Sequence, residues 1–415
     1  MTNASWDVAV IGAGAAGLLA AIRAAELGRR TLLLEKNRKP GVKILMSGGT
    51  RCNLTHATDN RGIVEAFGPS GRFLHSALAA LSVQDTVVLF EGEGVPTKVE
   101  ETGKIFPVSN KAADVLDALL RRLRRSGAVL ALSEPVRELR RTDAGLYSLT
   151  TPGRVVTARR VVVTTGGRSY PGCGTTGDGY GMAAAFGHTI VPPRPALVPV
   201  KVSAPWVAEL RGVTVPDAAV RVLDAGKVLA ARRGSLLFAH FGLSGPVVLD
   251  VSGAVTRHPR PESLALEIDW LPAVKEPVLD EHLRTESLVS GKKQLAAVLA
   301  AQLPRRLGDA LVTVAGMSAD RKAAALNKID RAKLVQALKR LRLPVAGTLG
   351  FEKAEVTTGG VALGEVDSRT MESKKAAGLY LAGEVLDLDG PIGGYNFQAA
   401  WSTGWLAGTA AARSG

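Results

Sequence analysis

Cysteine is scarce in this chain: Cys52 and Cys173 are the only two in 415 residues. They cannot make a disulfide scaffold, nor by themselves hold a zinc ribbon or an iron–sulfur cluster. With so few thiols and no pair spaced for disulfide reduction, a reducing, cytoplasmic setting is expected. Histidines 56, 75, 188, 240, 258 and 282 are scattered, so no metal centre is expected. Aromatic residues make up only 5%, which is few for a surface that stacks nucleic-acid bases. Long apolar runs are also missing. The stretch Val8 to Ala25 follows Asp7 without a basic start and is broken by Gly12, Gly14, Gly17 and Arg23. It reads neither as a signal peptide nor as a membrane span.

What is abundant is glycine, with 46 residues, and positive charge, with 52 basic against 38 acidic side chains and a net +14. Hydrophobic residues at 46% give an ordinary globular balance. The length fits two or three domains or one large fold.

The first forty residues carry the strongest signal. Trp6 to Ile11 reads as a buried strand, Gly12-Ala13-Gly14-Ala15-Ala16-Gly17 follows at once, and Leu18 to Leu27 reads as a helix closing at Gly28. Thr31 to Leu34 is a second strand ending at Glu35, 23 residues after Gly12. This is the order of a dinucleotide-binding βαβ unit. Gly12 permits the turn, Gly14 lets backbone approach a pyrophosphate, and Gly17 lets helix and strand pack. The helix N-terminus offers free N–H groups to the phosphates, and Glu35 suits the ribose hydroxyls. The motif does not separate FAD from NAD. A second GxGxxG at Gly172 to Gly177 follows no strand and is not expected to bind a nucleotide.

Lys43 to Thr55 is a second glycine-bearing loop, rich in donors at Thr50, Arg51 and Asn53. Ala112 to Arg125 is an amphipathic helix stopped by Gly127. Tyr147 to Thr151 and Val155 to Ala158 read as a hairpin, and Arg160 to Thr165 as a separate strand. Near the end, Gly378 to Glu384 is a strand, followed by Gly393-Gly394-Tyr395-Asn396 and a helix to about Ala412.

The stretches Gly12–Gly17, Ser47–Thr55, Thr164–Gly181, His240–Pro246, Thr358–Lys374 and Gly383–Gln398 together resemble a known family. It is the two-dinucleotide-binding-domain flavoproteins, within them the BaiN-like or aminoacetone-oxidase-like NAD(P)/FAD-dependent oxidoreductases. One departure is Thr50, where the family's loop has a third glycine. The resemblance implies an α/β fold: a Rossmann-type FAD-binding domain built from both chain ends, with an inserted β-rich plus helical domain. The expected FAD-binding set is Gly12, Gly14, Ala15, Ala16, Gly17, Glu35, Lys36, Lys43, Gly48, Thr50, Arg51, Cys52, Asn53, Val136, Thr165, Gly166, Gly167, Gly383, Glu384, Gly393, Gly394, Tyr395 and Asn396. NAD(P)H is expected as a transient reductant, because no second dinucleotide fold is legible. For reduction of a conjugated C=C bond, Tyr170, His240, Tyr395, Cys52 or water are candidate proton donors; none is assigned.

The expected divisions are 1–193 and 346–415 for the FAD domain, 194–275 for a β-rich domain, and 276–345 for a basic helical subdomain. Helices are expected over Gly291 to Leu303 and Ala319 to Leu341. Residues 284–343 hold 13 basic and 4 acidic side chains, most of the net charge of the whole chain. The cluster includes Lys292, Lys293, Arg305, Arg306, Arg321, Lys322, Lys328, Arg331, Lys333, Lys339, Arg340 and Arg342. Such a segment could neutralise RNA phosphates, and family members have been linked to dihydrouridine formation in ribosomal RNA. The partner is therefore a small molecule or RNA, without a membrane or a metal. A non-enzymatic RNA-binding protein and a plain NAD-dependent dehydrogenase are the competing readings.

Overall fold

The run Val8–Ile11 is apolar throughout because both faces of its strand are covered, as parallel strands in α/β folds require. A computed structural model describes residues 5–413. Trp6–Ile11 pairs in parallel with Thr31–Leu34 on one side and Val155–Val163 on the other. Val129–Ala131 extends the sheet beyond Thr31–Leu34, also in parallel. The strand Val155–Val163 is continuous, where the sequence suggested two pieces. Its first part pairs antiparallel with the hairpin strand Tyr147–Thr150, and its last part in parallel with Leu379–Leu381 from the chain's far end. A change of partner along one strand looks like a break when only periodicity is read.

Head and tail thus share one sheet, and their helices share one face of it. The first helix, Ala15–Glu26, lies against the last, Tyr395–Arg413. Gly404 and Gly408 face Ala16 and Ala20: a Cβ at Gly404 would lie 2.2 Å from the Ala16 carbonyl, and one at Gly408 2.3 Å from that of Ala20. Small residues four apart on both helices allow this approach. Arg23 stacks on Trp405 and donates to Thr409, and Arg29 donates to the Ala412 carbonyl.

Two compact units divide the chain: one runs up to Arg194 and resumes at Val356, and the other is Pro195–Glu355. The second unit is a closed antiparallel barrel of six strands, Val200–Val202, Gly242–Ser244, Lys227–Ala239, Thr214–Asp224, Leu264–Asp269 and Leu341–Thr348. Between the last two strands lie helices Glu276–Val289, Leu295–Leu299, Arg305–Val314 and Lys328–Lys339. Leu283, Leu311 and Leu338 from these helices join Val220, Phe238 and Leu266 of the barrel in one core. The expected cut at 275/276 therefore crosses a shared core, and that at 345/346 falls inside the strand that closes the barrel. The long helices expected from 291 and 319 are shorter: the first is the short Leu295–Leu299, with Pro304 starting the next helix, and the second begins only after Asn327, which caps it.

Gly408→Val should lower stability by about 1–3 kcal/mol, the usual cost of overpacking. Urea unfolding measures this, and an unchanged midpoint would show that the helices do not need the close approach.

Candidate functional site

The glycine turn after the first strand separates three roles by sterics. A Cβ at Gly12, where φ is +101°, would lie 2.7 Å from the Thr164 carbonyl, and one at Gly17 would lie 1.8 Å from the Gly12 carbonyl. Both glycines are therefore demanded by chain packing. A Cβ at Gly14 would meet nothing within 4 Å. Its missing side chain leaves open space in front of the helix N-terminus, which no side chain caps and no acid occupies in its first turn. The donors of Ala15, Ala16 and Gly17 are those a pyrophosphate would use.

Glu35 is buried at the end of its strand, where it accepts from the N–H of Ala13 and of Asn37, each at 2.8 Å. Each carboxylate oxygen keeps a lone pair for a ribose hydroxyl. The segment carrying Val136 is fixed beside it, since Ser133 and Glu134 donate to the carbonyls of Asn37 and Glu35. The second GxGxxG forms a wall here. Asn37 donates to the Cys173 carbonyl, and Lys36 binds Thr176 and Asp178. Lys36 is thus committed to protein partners, and Asp178 in the first turn of the next helix opposes an anion there.

The loop after the helical turn Val42–Met46 is held by left-handed residues: Gly48, Gly49, Thr50 (φ 70°) and Cys52 (φ 60°). A β-branched residue in this region is strained by about 1–2 kcal/mol, which gives a reason for the family's glycine at position 50. Cys52 is fully buried and its thiol is pushed up to about 12 by burial, so it stays protonated at neutral pH. Arg51 stacks on Phe106 and pairs with Glu100 at 2.6 Å. Asn53, with its amide oriented to satisfy its neighbours, accepts from Gly394 N–H at 3.0 Å. That bond ties the loop to the start of the last helix. The Asn396 amide bonds the Gly390 N–H and carbonyl, holding the preceding turn.

Glu384, expected at the cofactor, has both oxygens engaged by protein. Oε2 accepts from Lys43 at 2.6 Å, and Oε1 from Ser169 Oγ at 2.9 Å and Thr357 N–H at 2.8 Å. Lys43 also donates to Ser169 at 2.7 Å. Thr165, Gly166 and Gly167 lie on the turn between this knot and the first glycine turn. The Thr164 hydroxyl donates toward the carbonyls of Ile11 and Gly12, a Cβ at Gly167 would meet the Thr357 side chain, and the Thr165 hydroxyl is buried without a partner among the described residues. Gly383 donates to Thr403 of the last helix and sits against Ala16. Sequence reasoning missed Ser169, although it lies within the quoted Thr164–Gly181 motif. It also missed His56, one residue past the Ser47–Thr55 motif. The His56 ring stacks on Tyr395 with centroids 4.6 Å apart and bonds the Gly393 carbonyl at 3.1 Å.

The profile of the HI0933-like protein Rossmann domain matches residues 6–410. The chain is 37% identical to the ribosomal RNA dihydrouridine synthase of Escherichia coli strain K12, over 96% of each chain. It is 33% identical to the 3-dehydro-bile acid delta(4,6)-reductase of Clostridium scindens, over 98% of each. The chain belongs to the HI0933-like family. Its fold is shared by the 3-ketosteroid-delta4-(5alpha)-dehydrogenase of Rhodococcus jostii, with a TM-score of 0.54 at 17% identity over 100% of this chain and 99% of that one. HI0933-like proteins are FAD-dependent oxidoreductases, and so is this chain. The open cradle at Gly14, the uncapped helix and Glu35 fit FAD.

Charge on the insertion of this HI0933-like chain is less free than its sequence suggests. Arg331, Lys339, Arg340 and Arg342 pair with Asp280, Asp269, Glu276 and Glu267, acids that lie just before the basic window. Arg284, Arg305 and Arg321 pair with Glu281, Asp309 and Asp330. Lys292, Lys293, Lys322, Lys328 and Lys333 are exposed and have no ion pair among the described residues. Among the described residues, no group of three or more His, Cys, Asp or Glu could hold a metal ion, and no single helix is long and apolar enough to cross a membrane.

Gly14→Ala should leave apo-protein unfolding unchanged but weaken FAD binding at least tenfold, about 1.4 kcal/mol. Gly17→Ala should destabilise the apo-protein itself by about 1–3 kcal/mol. Flavin fluorescence titration and urea unfolding separate the two, and equal behaviour of both variants would contradict the division of roles. Thr50→Gly should raise the unfolding free energy by about 1 kcal/mol, the strain relieved less the added freedom of the unfolded chain. A lower value would mean that position 50 is not strained.

Proposed function

We propose that this chain reduces a C=C bond conjugated to a carbonyl, with NAD(P)H as transient electron donor. The observation that supports the reading is the open Gly14 cradle, next to Ala13, which donates to Glu35, and at the head of the helix that packs on the last one. FAD, when bound, supplies the two-electron transfer to the β-carbon of such a bond. The chain's own residues orient the cofactor and deliver a proton to the neighbouring carbon. Ala15, Ala16 and Gly17 offer N–H groups to phosphates, and Glu35 accepts from ribose. The knot of Lys43, Ser169 and Glu384 holds three segments in register. Tyr395, stacked on His56 at the head of the last helix, is the donor we favour over Cys52, which is fully buried, and over Tyr170.

A second reading narrows the substrate to a uracil in ribosomal RNA, whose C5=C6 bond is conjugated to the C4 carbonyl. The five exposed, unpaired lysines of the insertion favour it, because such charges attract a phosphate backbone. A dihydrouridine synthase and a bile-acid reductase among the relatives act on chemically similar bonds, so the carrier of the bond is the open variable.

Photoreduced holoenzyme, mixed anaerobically with unmodified ribosomal RNA or with a conjugated enone, should regain its oxidised flavin spectrum. The substrate should gain 2 Da by mass spectrometry, as one C=C bond takes up two hydrogens. Flavin that stays reduced with both would contradict the C=C reading, while reoxidation by the enone alone would contradict the RNA reading.

A further inference from the structure

His240–Pro246 is part of the family resemblance, and beyond the place of His240 among the candidate proton donors the FAD reading gives it no task. In the barrel unit it forms the turn between strands Lys227–Ala239 and Gly242–Ser244 and leads into the helix Pro246–Arg257. Two glycines press that turn onto the barrel. A Cβ at Gly242 would lie 2.3 Å from the Val200 carbonyl, and one at Gly245 2.9 Å from the Leu237 N. The turn tip stands outward: His240 is exposed and Phe241 half-buried. Their rings meet edge to face, with centroids 4.9 Å apart at 78°. An exposed and a half-buried ring on a tightly pinned turn are poorly explained by barrel packing, since neither is in the core.

Beside the turn lies a cavity of about 340 Å³ lined by Ser203, Pro205, Val207, His240 and Phe241 among others. This is near the lower end of the range for small-ligand pockets, roughly 300–1,000 Å³. One wall is the short helix Pro205–Glu209, and Arg306 donates to the carbonyl of Glu209. A guanidinium has five N–H donors, so Arg306 keeps others for a phosphate. Lys201, exposed on the adjoining strand, pairs in register with Gly242. The cavity thus combines a ring face, an imidazole edge and a hydroxyl, with Arg306 and Lys201 on elements adjoining its lining rather than in it. A neutral polycyclic ligand would use the apolar wall and leave both cations idle, whereas a nucleotide uses all of them.

We propose that this cavity is a nucleobase subsite: Phe241 stacks on an unpaired base of the RNA, His240 and Ser203 meet polar atoms on its edge, and Arg306 and Lys201 hold flanking phosphates. The inference rests on the RNA reading and deepens it, because it assigns single-strand recognition to the barrel unit. Single-stranded RNA, with splayed bases, is the form such a pocket can take.

The test is fluorescence anisotropy of the holoenzyme with a labelled single-stranded oligouridylate, the same length of RNA duplex, and unlabelled uridine monophosphate as competitor. Wild-type protein is expected to bind the single strand more tightly than the duplex. Phe241→Ala and His240→Ala should each weaken single-strand binding by about fivefold or more, the effect of losing one base contact. Phe241→Tyr should keep it, and the salt slope should not change, because the phosphate contacts remain. Competition by uridine monophosphate alone, with no preference for the strand, would reassign the pocket to a free nucleotide and overturn the RNA subsite. Single-strand binding unaltered in both alanine variants, with flavin absorbance intact, would overturn the subsite while leaving the RNA reading standing. Wild-type protein that binds neither RNA would overturn both.

Discussion

The first and last helices can touch backbone to backbone because Gly404 and Gly408 present no side chain to Ala16 and Ala20. That approach is the constraint on which the rest depends. The helix whose N-terminus is open beside Gly14 is the one the tail lies against, so one contact aligns the two halves of the proposed cofactor site. Leu379–Leu381 reinforces it by entering the sheet beside Val161–Val163, one strand away from Trp6–Ile11. A chain closed in this way can carry 161 residues of insertion between its halves without altering the cradle.

Polar interactions then finish what packing begins. Lys43, Ser169, Thr357 and Glu384 come from four distant segments and satisfy one another. Asn53 joins the strained loop to Gly394. These groups fix the walls of the site, leaving Gly14, the first helix N-terminus and Glu35 as the parts open to a ligand. Arg51 and Lys36 were expected among the ligand-binding groups, but their charges are already matched by Glu100 and Asp178.

Much of this was legible in the residues. The βαβ order, the roles of Gly12 and Gly17, and the return of the tail to the FAD domain follow from motifs whose chemistry is local. Other features were not legible, for reasons that can be stated. Val155–Val163 reads as two strands because its partner changes along its length. The helical part of the insertion reads as a separate subdomain because the barrel's closing strand, Leu341–Thr348, comes after the helices. Its charge was overestimated because Glu267, Asp269, Glu276 and Asp280 lie outside the window but fold back onto it. Strain at Thr50 showed only as a missing glycine until its φ of 70° was known.

Amide hydrogen exchange with and without FAD tests the central claim most directly. If both chain ends enclose one FAD, adding it should slow exchange at Gly14–Gly17 and, together with these, at Gly393–Asn396. Protection confined to the first segment, with the second exchanging as in the apo-protein, would contradict the account.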